Sequence, residues 1–70
     1  MRVRVDHRAD AVYLSLTDRE IAESEEVADG IVVDYDAQGR IVGLEILDAS
    51  RRTGGPAILK QFSFDLPSAS

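Results

Sequence analysis

The sequence predicts a mainly β domain built from an antiparallel meander of four or five strands. One observation is the alternation of apolar and polar residues over residues 2–6 and again over residues 12–17, which is typical of strands with one buried face. The other is a pair of β-branched runs, residues 30–35 and 41–47, that flank a polar insert with Gly39 near its end. Such an arrangement indicates a β-hairpin.

The first two strands are predicted to pair as a hairpin across the polar residues 7–10. Strand side chains alternate between two faces, so the second strand places three apolar residues on one side. These are Val12, Leu14 and Leu16. Residues 18–29 are less regular: Thr17 and Glu20 fit a capping box, but no helical stripe follows. We predict a loop with a short edge strand near residues 23–27, which its glutamates would protect from further pairing.

The pairing register of the two strands in the central hairpin can be predicted from its turn. A type I turn over residues 36–39 with Gly39 in a left-handed bulge pairs Tyr35 with Ile41 and Val33 with Gly43. One face then holds a predicted self-association surface of five residues: Ile31, Val33, Tyr35, Ile41 and Leu47. The other face holds Val32, Val42, Leu44 and Ile46 with Asp34. Both faces are largely apolar, so something must cover the second one.

Two candidates could provide that cover. We divide the chain into a β-meander domain over residues 1–52 and a C-terminal extension over residues 53–70 that packs on one face of the same single domain. Residues 57–66 fit a short helix or a strand equally well, and a helix would make the fold α+β. The alternative cover is a second copy of the chain.

Length and composition favour self-association. A chain of 70 residues buries only about 60% of the surface that its unfolded form exposes. With no Cys and a single His, neither a disulfide nor a Cys/His metal site can stabilise it. We therefore predict a homo-oligomer.

The acidic charge of the chain limits which classes of partner are expected. The net charge is −5, and residues 18–48 hold ten acids against Arg19 and Arg40. Nucleic-acid binding needs clustered Lys and Arg, so no nucleic-acid partner is predicted. No apolar run is long enough to span a membrane and residues 1–6 do not resemble a signal peptide, so we expect no membrane partner and a cytoplasmic location.

The sharpest chemical motif runs from Asp34 to Glu45 and follows the spacing of an EF-hand calcium loop. An EF-hand loop lies between helices, whereas both flanks here have strand character. In the register above, Asp34 and Glu45 also project from opposite faces. We therefore predict no metal site and no cofactor.

Catalytic residues are not predicted either. His7 lies in a polar turn segment, and no serine is singled out as its partner by a Gly-x-Ser-x-Gly elbow. The alternative from a different class is a small ligand-binding protein or enzyme that uses the carboxylates of Asp34, Asp36 and Asp48.

Two blocks of sequence carry a family resemblance. Residues 10–16 (DAVYLSL) and residues 30–50 (GIVVDYD, then G39, IVGLEILDAS) together resemble domain-of-unknown-function family 2283, over roughly residues 2–52. The resemblance implies a short prokaryotic protein and no known reaction, cofactor or catalytic residue. It also suggests an antitoxin-like role toward a small basic protein, which an acidic face would attract. The leading hypothesis is a non-enzymatic protein-interaction or self-association module.

Overall fold

The computed structural model describes residues 1–67, which form one five-stranded antiparallel sheet followed by two short helices. The strands are β1 (Arg2–Asp6), β2 (Ala11–Ser15), β3 (Glu23–Ala28), β4 (Ile31–Tyr35) and β5 (Ile41–Ile46). The helices are α1 (Ala49–Thr53) and a 3-10 helix (Pro56–Lys60). The predicted mainly β class is confirmed, and β3 confirms the edge strand expected near residues 23–27.

The strands lie in the order β1-β2-β5-β4-β3. The chain thus forms the hairpin β1–β2 and the three-stranded unit β3–β4–β5, and the two units join where β2 pairs with β5. The connection after β2 stays close to β5, because the backbone N–H of Leu16 donates to the Val42 carbonyl over 2.8 Å. In the described part of the chain, β1 and β3 are the two free edges of the sheet.

The turn of the central hairpin follows the prediction. The Asp36 N–H donates to the Arg40 carbonyl over 2.9 Å, and the Gly39 N–H donates to the Asp36 carbonyl over 3.0 Å. Gly39 has φ +77°, a conformation that glycine adopts without steric cost. Tyr35 pairs with Ile41 as expected.

Beyond the turn, the predicted register is wrong by one residue. A bulge leaves Val42 without a partner in the β4–β5 ladder, so Asp34 pairs with Gly43 and Val33 pairs with Leu44. An extra residue in one strand shifts all later pairs and exchanges the faces of the side chains. Asp34 and Glu45 therefore lie on the same face of the sheet, not on opposite faces.

The helices close one end of the sheet. Ala49 at the start of α1 is fully buried, and the Asp10 carboxylate accepts hydrogen bonds from the backbone N–H of Ser50 (3.0 Å) and from its hydroxyl (2.8 Å). In residues 1–67, α1 packs on β2 and the 3-10 helix packs mainly on α1.

The C-terminal extension forms neither a helix nor a strand over the whole of residues 57–66. Residues 56–60 are a 3-10 helix, and residues 61–67 continue without regular structure. Residues 68–70 of the predicted extension lie outside the described residues.

Burial is low for a folded domain. The buried apolar residues are Ala11, Val42 and Ala49, and no large side chain among the described residues is fully buried. Stable domains usually bury a sheet face against a second layer of secondary structure. Apart from Val42, the larger apolar side chains of this sheet are half-buried or exposed.

Candidate functional site

One face of the sheet carries two apolar rows that run across four strands. The β-ladder pairs place the side chains of each row side by side, because directly paired residues share a face. The first row is Val3, Leu14, Leu44 and Val33, and the second row is Val5, Val12, Ile46 and Ile31. We call these eight residues the apolar face.

None of the eight side chains is buried. Val3 is 40% exposed, and the other seven are half-buried. A protein of 7.7 kDa that folds as a compact monomer exposes roughly 4,300 Å² by the usual size scaling. This chain exposes 5466 Å². The excess of roughly 1,100 Å² belongs to the whole chain and includes the exposed residues 61–67 as well as the sheet.

Strand β3 forms an acidic rim beside the apolar face. Glu25 pairs with Val33 and so ends the first row, whereas Ala28 pairs with Ile31 and ends the second. Glu23, Glu25 and Glu26 are all exposed on this strand. Charges on a free edge hinder the pairing of further strands.

Four of the five predicted self-association residues project from this side of the sheet. Ile31, Val33 and Tyr35 alternate along β4, and Ile41 shares their side as the direct partner of Tyr35. Tyr35 and Ile41 lie next to the first row but outside the eight residues, and Leu47 follows the end of β5. The sequence interpretation missed the six other members: Val3, Val5, Val12, Leu14, Leu44 and Ile46. Their alternation was visible, but only the β2–β5 pairing joins them into one surface.

The opposite, polar face contains a hydrogen-bonded cluster centred on Asp34. Its carboxylate accepts hydrogen bonds from the Tyr13 hydroxyl (2.7 Å) and the Ser24 hydroxyl (2.5 Å). Asp34 is buried, and no buried side-chain polar atom among the described residues lacks a partner. The cluster connects β2, β4 and β3, and so braces the sheet from its polar side.

Gly43 makes this cluster possible. It lies on β5 between the strands of Tyr13 and Asp34, and a Cβ atom at Gly43 would lie only 2.6 Å from the Tyr13 hydroxyl oxygen. The hydrogen bond to Asp34, together with burial and the negative charges of Asp34 and Glu45, raises the pKa of Tyr13 to about 12. A glycine inside a strand was the available signal, since it often marks a close approach of other groups.

Asp36 is the centre of a second cluster at the hairpin turn. Its carboxylate accepts the backbone N–H groups of Gln38 and Arg40 and the guanidinium groups of Arg40 (2.9 Å) and Arg19 (2.7 Å). Burial alone would raise the pKa of Asp36. The backbone N–H groups and the two guanidinium groups outweigh burial and lower the pKa to about 2.

The alternative site of Asp34, Asp36 and Asp48 therefore consists of three separately bound carboxylates. Asp48 lies just before α1, is largely exposed and pairs with Arg51 over 3.1 Å. A cavity of about 340 Å³ on the polar face is lined by Arg4, Asp6, Ala9, Ala11, Tyr13 and Glu45 and by none of these three. Within residues 1–67, no group of three or more His, Asp or Glu side chains could hold a metal ion.

His7 is exposed in the turn between β1 and β2. In the described part of the chain, neither helix has the length and apolar character needed to cross a membrane.

The fold and the two faces define a small single-sheet β domain with a braced polar face and an open apolar face. Residues 2–50 match the model of the family described as Protein of unknown function (DUF2283), which confirms the resemblance seen in the sequence. The chain belongs to this family. It matches no curated protein and no solved structure.

Proposed function

We propose that this chain is a non-enzymatic protein-interaction module that forms a homo-oligomer through its apolar face. The observation that carries the proposal is that two apolar rows run across four strands and none of their eight side chains is buried in the single chain. Two sheets that pack face to face interdigitate such rows at a separation of about 10 Å. A second copy would supply the missing layer.

Chemistry supports a copy of the same chain as the partner. The eight residues of the apolar face include no charge, and Glu25 on β3 lies at the end of its first row. A surface of this kind is self-complementary, because a two-fold axis brings apolar side chains against their own equivalents.

The contacts of the Asp34 and Asp36 carboxylates support a structural role for these groups rather than a catalytic one. Asp34 and Asp36 each bind several donors of the protein itself, and the charge on Asp36 is stabilised. A general acid or base needs a pKa near the working pH and a free position for substrate. These groups brace the sheet and the turn instead.

The test compares two lysine substitutions on neighbouring residues of β4. Val33 lies on the apolar face and Val32 on the polar face, so the two variants differ in the face that receives the charge. We expect Val33→Lys to lower the mass measured by light scattering to that of one chain and Val32→Lys to leave the oligomer intact. Circular dichroism checks that both variants fold.

If Val33→Lys fails to fold, the unfolding temperature of the wild type still tests self-association. The unfolding temperature of an oligomer rises with protein concentration, whereas that of a monomer does not. A concentration-independent unfolding temperature together with the mass of one chain would reject self-association.

The acidic rim favours a second candidate function, an antitoxin-like interaction with a small basic protein. Glu23, Glu25 and Glu26 are exposed together on a free edge strand, and complementary charge would attract a basic partner. A basic protein that co-purifies with the wild type should be lost when all three are changed to Gln. Retention by the triple variant would reject the rim as its binding site.

A further inference from the structure

Residues 61–66 form an exposed segment that we call the C-terminal arm. It begins in extended conformation at Gln61, with φ −123° and ψ 120°. Phe62, Phe64 and Leu66 are 76%, 70% and 79% exposed, and polar Ser63 and Asp65 alternate with them. This is the pattern of a strand with one apolar side, in a position where no strand has formed.

The arm lies beside β1. Phe62 and Phe64 line a cavity of about 430 Å³ together with Met1 and Val3. Within residues 1–67, the one backbone hydrogen bond of the arm runs from the Gln61 N–H to the Ile58 carbonyl. The outer edge of β1 is therefore free, although the arm passes close to it.

The arm and β1 match on both faces of the sheet. Val3 and Val5 of β1 belong to the apolar face, and Arg2 and Arg4 lie on the polar face. A strand added along β1 with its phenylalanines on the apolar side places Asp65 on the side of the two arginines. Opposite charges and apolar pairs on neighbouring strands stabilise a sheet.

The other free edge does not match the arm. On β3, Glu23 and Glu25 pair with Tyr35 and Val33, so these carboxylates lie where the arm would bring its aromatic rings. Glu26 lies on the opposite face, where it would repel Asp65. The arm is thus suited to β1 alone.

We propose that the arm of each copy pairs with the outer edge of β1 in a second copy, which adds a sixth strand to each sheet. This inference rests on the proposed function, since it requires an oligomer. A second copy is the better occupant because the arm already lies beside β1 of its own chain and still leaves its apolar side chains at least 70% exposed. Val3 belongs both to the cavity and to the apolar face, so each arm starts at the margin of the dimer contact.

The direct test is isotope-filtered NMR on the full chain, with labelled and unlabelled copies mixed in equal amounts. We expect cross-peaks between the aromatic protons of Phe62 and Phe64 in one copy and the methyl groups of Val3 and Val5 in the other. If the sample has the mass of an oligomer but such cross-peaks occur only within a copy, or not at all, the arm exchange is wrong and the proposed function stands. The mass of a single chain would reject both.

A second test uses substitutions that leave the apolar face unchanged. Removing both aromatic rings with Phe62→Ser and Phe64→Ser should weaken association about 100-fold, the effect of losing two partly buried aromatic contacts. Ser63→Ala, on the polar side of the arm, is the matched control and should leave the affinity unchanged. Equal affinities for the double variant and the wild type would overturn the inference.

Discussion

Tyr13 on β2 donates a hydrogen bond over 2.7 Å to Asp34 on β4, and the intervening strand β5 allows this contact because it carries Gly43 between them. A side chain at residue 43 would occupy the path of the tyrosine ring. The polar face is therefore held together by a contact between strands that are not neighbours.

Gly43→Ala should destabilise the protein by about 2 kcal/mol, the usual effect of forcing extra atoms into an occupied site. The added Cβ would approach the Tyr13 hydroxyl oxygen to 2.6 Å and the backbone carbonyl oxygen of Leu14 to 2.7 Å. Urea unfolding measures the loss. In a Tyr35→Phe background, where Tyr13 is the remaining tyrosine, absorbance titration should also show the pKa of Tyr13 falling toward 10. Wild-type stability and an unchanged titration would contradict this steric account.

Tyr13→Phe should destabilise the protein by about 1 to 2 kcal/mol, because Asp34 remains buried and loses one of its two hydroxyl donors. Ser15→Ala is a suitable control, since the Ser15 hydroxyl makes only a weak 3.3 Å contact with a carbonyl of its own segment. If the two variants lose equal stability, the Tyr13–Asp34 contact has no special role.

The same contact gives stability a dependence on alkaline pH. The folded-state pKa of Tyr13 is raised from 10 to about 12, so the folded protein retains a proton that the unfolded chain releases. This contribution to stability is complete below pH 10 and is lost as the pH rises toward 12. The free energy of unfolding should fall less steeply over this range in Tyr13→Phe than in the wild type. Parallel curves would contradict the assignment.

Asp36 should control stability in acid. Its folded-state pKa is lowered from 3.8 to about 2, so its contribution is present above pH 4 and is lost as the pH falls toward 2. Asp36→Asn should reduce stability at neutral pH and flatten the acid part of the stability curve. Asp48→Asn is the matched control, because Asp48 is largely exposed and its surface ion pair contributes little. Equal behaviour of the two variants would show that the turn does not depend on the charge of Asp36.

Local patterns were sufficient to predict the hairpins but not the way they join. The turn at Gly39 and the strand alternation depend on neighbouring residues, so both could be identified from the sequence. The bulge at Val42 has no comparable local signal, and it moved Leu44 and Ile46 onto the face of Ile31 and Val33. The apolar face depends further on the pairing of β2 with β5, a contact between distant parts of the chain.

Of the two polar clusters, only the one formed by neighbouring residues could be predicted from the sequence. Asp36 and Gly39 could be assigned to a turn because the turn is made by consecutive residues. The contact of Tyr13 with Asp34 joins residues 21 positions apart, and nothing near either residue indicates the other. Gly43 within a strand was the single hint of a close approach.

The central claim is that the apolar face is covered by another copy of the chain, and the solution mass of the wild type tests it most directly. Sedimentation equilibrium over a wide range of concentrations should give at least twice the chain mass of 7.7 kDa, with dissociation only on dilution. A mass of 7.7 kDa at every concentration, for a protein that unfolds cooperatively, would contradict the account.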